Sequence, residues 1–384
     1  MSGACPDADS NARGRPWPNG TYRKLLVAPL AMSGLLAGCV GTAPAPRVTL
    51  QTQKATPQKT PVAVVAKVAA PPMQHEPKAD LLNAVQRLGS TFQGRIGISV
   101  REIDAGWTVA FAGDANLPQQ SVSKLWVGVA TMQQLEQGRL SSADPITVRR
   151  SDLTVFHQPL RPLVTANGYR TTIGKLLELA MTRSANSAND VLLWKIGGPR
   201  TVREMLSRTG ITGVGFGPGE RELQAKIAGL RWKEDWAGGW GFLKARAAMR
   251  YEERDEAMKR YLAAPYDGAS PNGVTLGLAM LAKGKLLNPS STARLLALMR
   301  ASKTGPLRLR SGLQPGWTLA HKTGTGQDLG RLATGYNDVG ILVSPSGRRY
   351  AVAVMIASTH QPIPVRMRLM GDLTRAVIRS EQPG

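Results

Sequence analysis

The sequence predicts an α+β fold in three layers, α/β/α: an antiparallel sheet flanked by helices, with an all-helical subdomain in the middle of the chain. Three observations carry this reading. Gly94–Ile103 and Trp107–Ala112 alternate apolar and polar residues around Asp104-Ala105-Gly106, a hairpin signal. A largely helical stretch follows, over roughly 119–310. Strand-like runs then return at Thr318–Lys322, Ala333–Val343 and Tyr350–Ala357, and a helix over about 363–380 closes the chain.

Taken in order, the chain divides into three parts. Tyr22-Arg23-Lys24 precede an apolar run from Leu25 to Gly38. That run is short for a bilayer span and suits the apolar core of a secretion signal. Residues 1–21 then form an unusually long leading segment. The run ends in Leu36-Ala37-Gly38-Cys39, small residues before a cysteine, and resembles the bacterial lipobox, whose thiol receives a diacylglycerol and becomes the mature N-terminus. On this reading residues 1–38 are a lipoprotein-type signal peptide and Cys39 is the lipid attachment site. The protein is expected in the periplasm, held at a membrane by its lipid. Residues 39–78 contain seven prolines with Ala, Thr, Gln and Lys but no Phe, Tyr or Trp, the composition of an extended linker. The folded unit, 79–384, opens with a helix at Ala79–Phe92, where Leu81, Leu82, Val85 and Leu88 recur at helical spacing.

The chain has 384 residues, 42 % of them hydrophobic, enough for a sizeable core. The net charge of +23 first suggests nucleic acid or an anionic surface. About +17 of it is spread over 79–384 rather than gathered in blocks, and no nucleic-acid-binding motif accompanies it. A basic protein working near anionic envelope polymers is the simpler reading, and a monomer is expected. The only cysteines, Cys5 and Cys39, lie before the folded unit, so it holds no disulfide. His75, His157, His321 and His360 show no metal-ligand spacing, so no metal or other cofactor is implied. No G-x-S-x-G elbow marks a Ser-His-Asp hydrolase.

Three short motifs carry chemistry. Ser121-Val122-Ser123-Lys124 opens an apolar helical stretch, and positions i and i+3 share a helix face, so the lysine can reach the serine hydroxyl. A serine becomes nucleophilic when a neighbour takes its proton, and a desolvated lysine can do so. The helix start also offers the Ser121 N–H to a developing oxyanion. Ser184-Ala185-Asn186 lies in the turn before a helix at 187–196. Lys322-Thr323-Gly324, followed by Thr325-Gly326, ends a strand, with glycines that would let a substrate backbone approach.

The ordered trio resembles the serine penicillin-recognising enzymes, class A β-lactamases and their penicillin-binding relatives, over about 79–384. Ile196-Gly197-Gly198-Pro199, Pro315-Gly316-Trp317 and Asn337-Asp338-Val339-Gly340 extend the likeness. The resemblance implies a serine β-lactamase/DD-peptidase-like fold and specific roles. Ser121 is acylated, Lys124 shuttles its proton, and Ser184 protonates the leaving nitrogen. Asn186 holds the substrate amide, Lys322 and Thr323 bind its carboxylate, and Ser121 and Thr325 N–H groups form the oxyanion hole. The implied substrate is a β-lactam or a peptidoglycan-derived peptide.

A β-lactamase must also hydrolyse the acyl-enzyme. In class A enzymes a glutamate in an E-x-x-L-N segment of the Ω-loop aims the water. Glu220-Arg221-Glu222-Leu223-Gln224 matches that position, making Glu220 the candidate base, with Gln224 in place of the asparagine. Pro218 replaces the arginine expected before the glutamate, and Ala185 replaces an aspartate. An insertion follows at about 225–268, with Trp232, Trp236 and Trp240 at spacings that would share one helical face, although Gly238-Gly239 argues against one continuous helix. It is either a wall over the site or an excursion packing its own tryptophans on the body. Phe156 or His157 could line the cleft, Arg331 is a possible second carboxylate anchor, and His321 reads as structural. The expectation is therefore a tethered β-lactamase. The alternatives are a related hydrolase acting on envelope peptides and a binding protein on a retired enzyme fold.

Overall fold

Why the last strands read as almost unbroken apolar runs is clear from a computed structural model, which describes residues 79–238 and 240–381. The signal, Cys39 and linker expectations lie outside the described residues. In the order of the chain, α1 (Ala79–Thr91), β1 (Arg95–Glu102), β2 (Thr108–Phe111) and β3 (Leu117–Pro118) lead to α2 (Lys124–Glu136). Then come β4 (Pro145–Val148), β5 (Tyr169–Thr172), α3 (Ile173–Thr182), α4 (Asn186–Lys195), α5 (Gly198–Thr209) and α6 (Glu220–Ile227). The insertion folds as a 3₁₀ turn (Glu234–Trp236), α7 (Gly241–Ala248) and α8 (Tyr251–Ala263). β6 (Gly268–Ala269), α9 (Pro271–Ala282) and α10 (Pro289–Arg300) precede β7 (Thr318–Thr325), β8 (Asp328–Leu329), β9 (Leu332–Val343), β10 (Arg349–Thr359) and α11 (Ile363–Glu381).

The main sheet is six-stranded, in the order β2-β1-β10-β9-β7 with β8 paired to β9. All its pairings are antiparallel. Both of its faces are covered, which is why β10 is unbroken in its apolar residues from Tyr350 to Ala357. Val352, Val354 and Ile356 face the core shared with α1 and α11. Ala351, Ala353, Met355 and Ala357 face the other core, where α9 lies across β1 and β10. The small alanines on that side leave room for a helix to sit close. The region expected to be helical also holds the small sheet β4–β5, and its β6 pairs with β3 just ahead of it.

Local signals explain several helix starts. Ser270 accepts from the Gly273 N–H ahead of Pro271, and Asn288 accepts from the Ser291 N–H ahead of Pro289. Capping by such side chains with proline in the first turn is a common start. The second motif begins its helix one residue early, at Asn186.

The tryptophans of the insertion do not share a helical face. Gly238, at φ +64°, turns the chain where one helix would have had to continue. Trp232 and Trp236 pack edge to face at 5.8 Å, and Trp236 meets Phe242 at 5.8 Å, in a cluster with Val155 and Ala225. Trp240 is left 62 % exposed beneath the Arg161 guanidinium. On the other side, Met258 and Tyr261 of α8 bury against Leu223, Ile227 and Leu329. The insertion is thus fastened both to the loop around Val155 and to the β8–β9 turn.

Candidate active site

Ser121 lies in a 3₁₀ turn, Gln120–Ser123, that runs directly into α2. Residues three apart eclipse in a 3₁₀ turn. Lys124 Nζ accordingly donates to Ser121 Oγ at 2.7 Å. The lysine is buried and also donates to Glu220 Oε2 at 3.1 Å. Glu220 is the first residue of α6, and its own N–H donates to Asp190 Oδ1 at 2.9 Å and Oδ2 at 3.2 Å. A carboxylate at a helix N-terminus satisfies an orphan donor and the helix dipole together. Asp190 of α4 therefore holds the loop at the place where Pro218 offers no charge.

Lys322 of β7 donates to Ser184 Oγ at 2.8 Å and to the Thr323 carbonyl at 3.0 Å. Burial, with Lys124 adding to it, pushes Lys322 well below the ordinary lysine range. Asn186 Nδ2 donates to the Val155 carbonyl at 2.9 Å, which leaves its Oδ1 as an acceptor. Thr323 shares a 2.7 Å hydrogen bond with Thr304.

These groups meet in one cleft lined by Ser121, Ser184, Asn186, Glu220, Thr323 and Thr325, with Phe156 and His157 on its wall. Phe156 stacks edge to face on Phe242 of the insertion, and His157 Nε2 bonds to the Arg183 carbonyl at 2.7 Å. Gln120, Phe156 and Ser184 all have positive φ, at 52°, 59° and 56°. Left-handed backbone costs a non-glycine residue about 1–2 kcal/mol, so its recurrence at one cleft marks a site held in place by its surroundings.

One expectation changes. Arg331 is not in the cleft: β8 and β9 close a tight turn, Leu329 opposite Leu332, and Arg331 faces a separate hollow with Tyr251 and His360. The second cation of the cleft is Arg308. It donates to the Gly324 carbonyl at 3.0 Å, the Asn337 carbonyl at 2.6 Å and Thr325 Oγ1 at 2.7 Å, and lies over the Tyr336 ring at 3.8 Å. Nothing local in the sequence marks it, because its partners come from strands that begin ten or more residues later. Gly324 serves its own chain: a Cβ there would stand 2.4 Å from the Gln119 carbonyl. His321 is fully buried on Asp338 at 2.8 Å. Among the described residues no three His, Cys, Asp or Glu side chains gather as a metal site.

No motif marks Gln120, Asp190, Tyr261, Asp267 or Gln327, since their roles depend on long-range contacts. Burial raises Asp190 to about 6, and the nearby Glu220 charge adds to it. Between 3.8, the ordinary value, and about 6 the folded protein binds more protons than the unfolded chain, so this group removes stability as pH rises. The cost, about 3 kcal/mol for a shift of about two pKa units, is complete above pH 6. Asp190→Asn keeps an acceptor for the Glu220 N–H, so it should unfold at a higher temperature than wild type at pH 7.5. The gap should narrow towards pH 4. Equal melting temperatures at pH 7.5 would count against the buried charge.

The fold and the cleft define a serine hydrolase built on a Ser–Lys pair. A model of the beta-lactamase enzyme family matches residues 80–380, and the chain belongs to that family, as a class A-like hydrolase. The relatives include beta-lactamase VEB-1 of Pseudomonas aeruginosa, 24 % identical over 282 residues, covering 73 % of this chain and 83 % of that one. A beta-lactamase of Rhodobacter capsulatus is 25 % identical over 322 residues, covering 83 % and 94 %. The crystal structure of a beta-lactamase from Chitinophaga pinensis superposes with a TM-score of 0.65 at 23 % identity, covering 79 % of this chain and all of that one.

Proposed function

We propose that this protein hydrolyses β-lactams through an acyl-Ser121 intermediate, at the periplasmic face of a membrane to which a diacylated Cys39 tethers it. The observation that carries the mechanism is the Ser121–Lys124–Glu220 array, joined at 2.7 and 3.1 Å, with Lys124 and Glu220 buried behind the cleft-lining serine. Ser121 Oγ attacks the lactam carbonyl and its proton passes to Lys124. The C–N bond breaks, and the nitrogen takes a proton from Ser184, which is refilled by the proton Lys124 took from Ser121; Lys322 contacts Ser184 from behind. Lys322, Thr323 and Arg308 gather around the substrate carboxylate, Asn186 Oδ1 accepts from the acyl amide, and the Ser121 and Thr325 N–H groups hold the oxyanion. Glu220 then takes a proton from the water that attacks the ester and returns it, by way of Lys124, to the departing Ser121 Oγ.

A second reading, a penicillin-binding hydrolase of envelope peptides that deacylates slowly, draws on Gln224. Its Nε2 donates to Glu220 Oε1 at 3.0 Å, where an incoming water would also bind. Steady-state hydrolysis of a chromogenic cephalosporin separates the two. Sustained turnover above about one per second, an ordinary enzymatic rate, supports the lactamase. A single stoichiometric burst supports the slow reading.

The tether has its own test. Cys39→Ser should move the protein from the membrane to the soluble fraction, and unchanged fractionation would contradict the lipid anchor.

A further inference from the structure

The insertion reaches the base of the site through an unbroken line of hydrogen bonds. Arg246 of α7 donates from Nε to Gln327 Oε1 at 2.7 Å and from Nη2 to the Asp328 carbonyl at 2.8 Å. Gln327 Nε2 donates to Gln224 Oε1 at 2.9 Å and to the Gln224 carbonyl at 2.9 Å. Gln224 Nε2 donates to Glu220 Oε1 at 3.0 Å and to Gln120 Oε1 at 3.2 Å. Gln120 Nε2 meets Tyr261 Oη at 2.6 Å, and Tyr261 donates to Asp267 Oδ1 at 2.8 Å. Asp267 Oδ2 takes the Gln120 N–H at 2.6 Å, which also steadies that residue's left-handed backbone. Gln120, Gln224, Tyr261, Asp267 and Gln327 are all buried.

An amide can be turned end for end at almost no cost in shape, so each glutamine needs something to fix which end points where. A guanidinium has only donors and a carboxylate only acceptors. With Arg246 at one end, Gln327 must present oxygen to it and nitrogen to Gln224. Gln224 must then present nitrogen to Glu220 and Gln120. With Asp267 at the other end, Tyr261 must donate to it and accept from Gln120. Every link agrees in direction.

We propose that Arg246 is a positioning residue for the Glu220 carboxylate, acting through Gln327 and Gln224, and that this is what the insertion contributes to the reaction. The proposal rests on Glu220 as the deacylation base. Without Arg246, Gln327 keeps only the Gln224 carbonyl and side-chain oxygen to fix its orientation, and its hold on Gln224, and so the donor that Gln224 offers the carboxylate, loosens. Losing a donor makes a carboxylate harder to ionise. The other charged and titratable groups facing Glu220 stay in place: Lys124 of α2, Asp190 of α4, Lys322 of β7, and Tyr261 and Asp267 at the end of the insertion.

The test uses the full chain and a chromogenic cephalosporin, with acylation and deacylation measured separately against pH. In Arg246→Met, deacylation should fall about tenfold, the scale of one lost charge-assisted hydrogen bond, and the acid limb of kcat should move to higher pH. Acylation should stay within about twofold. Gln327→Glu, which keeps size and the Arg246 contact but removes the donor to Gln224, should shift the limb in the same direction. Arg246→Lys should recover part of the loss. Leu243→Ala, a packing change in the tryptophan cluster, should leave the limb where it is. An unmoved limb and unchanged deacylation in Arg246→Met, with wild type turning over, overturn the relay. A wild type that never deacylates overturns the reading of Glu220 instead. The relay is then judged by the side-chain amide protons of Gln224 and Gln327, which should exchange slowly in wild type and fast in Arg246→Met. Equal exchange rates in the two would reject it.

Discussion

Ser121→Ala should form no covalent adduct with any β-lactam, and its turnover should fall by at least about 10⁴-fold, the scale seen when a nucleophile is removed and only binding and oxyanion stabilisation remain. The neighbouring hydroxyl provides the contrast. Ser123 Oγ donates to the Gln120 carbonyl at 2.7 Å and takes part in a turn, whereas Ser121 Oγ accepts from the buried Lys124 Nζ at 2.7 Å. Ser123→Ala should therefore keep the adduct, at some cost in stability. Peptide mapping after labelling checks both: an adduct on any residue but Ser121 contradicts the assignment.

Glu220→Gln should slow turnover by about 10³-fold, because general-base assistance is worth about 10²–10⁴ and its loss here falls on one step. Glutamine is the informative replacement. Lys124 and Glu220 form a buried pair, and removing one partner of such a pair costs about 3–5 kcal/mol because the other charge is left alone. A glutamine still gives Lys124 an acceptor and removes only the basicity. Acylation should persist, so the variant should fill with acyl-enzyme while wild type does not. If acylation and deacylation fall equally, Glu220 serves the Ser121 proton transfer as much as the water.

What could be read from the chain, and what could not, follows the range of the interactions. The β10 run and the S-x-x-K turn are local: an unbroken apolar run and i,i+3 spacing are visible within eight residues. The helix at Ala79–Thr91 and the closing helix appear within a residue of their expected ends. The tryptophan spacing misled, because one glycine turn at Gly238 outweighs a helical period of four. Arg308 and Arg331 show the limit most plainly. Both are arginines followed by leucine, yet the β8–β9 turn carries Arg331 away while groups of β7 and β9 hold Arg308 in the cleft. Arg246 and Gln327 lie 81 residues apart, with no motif to join them.

The central claim is that one array acylates Ser121 and then frees it. Intact mass of wild type and Glu220→Gln, quenched at intervals after mixing with a cephalosporin at neutral pH, tests it most directly. The account predicts an adduct on Ser121 that vanishes from wild type within seconds of substrate exhaustion and persists in Glu220→Gln for about 10³ times longer. An adduct that lasts equally long in both proteins, or none in either, would contradict it.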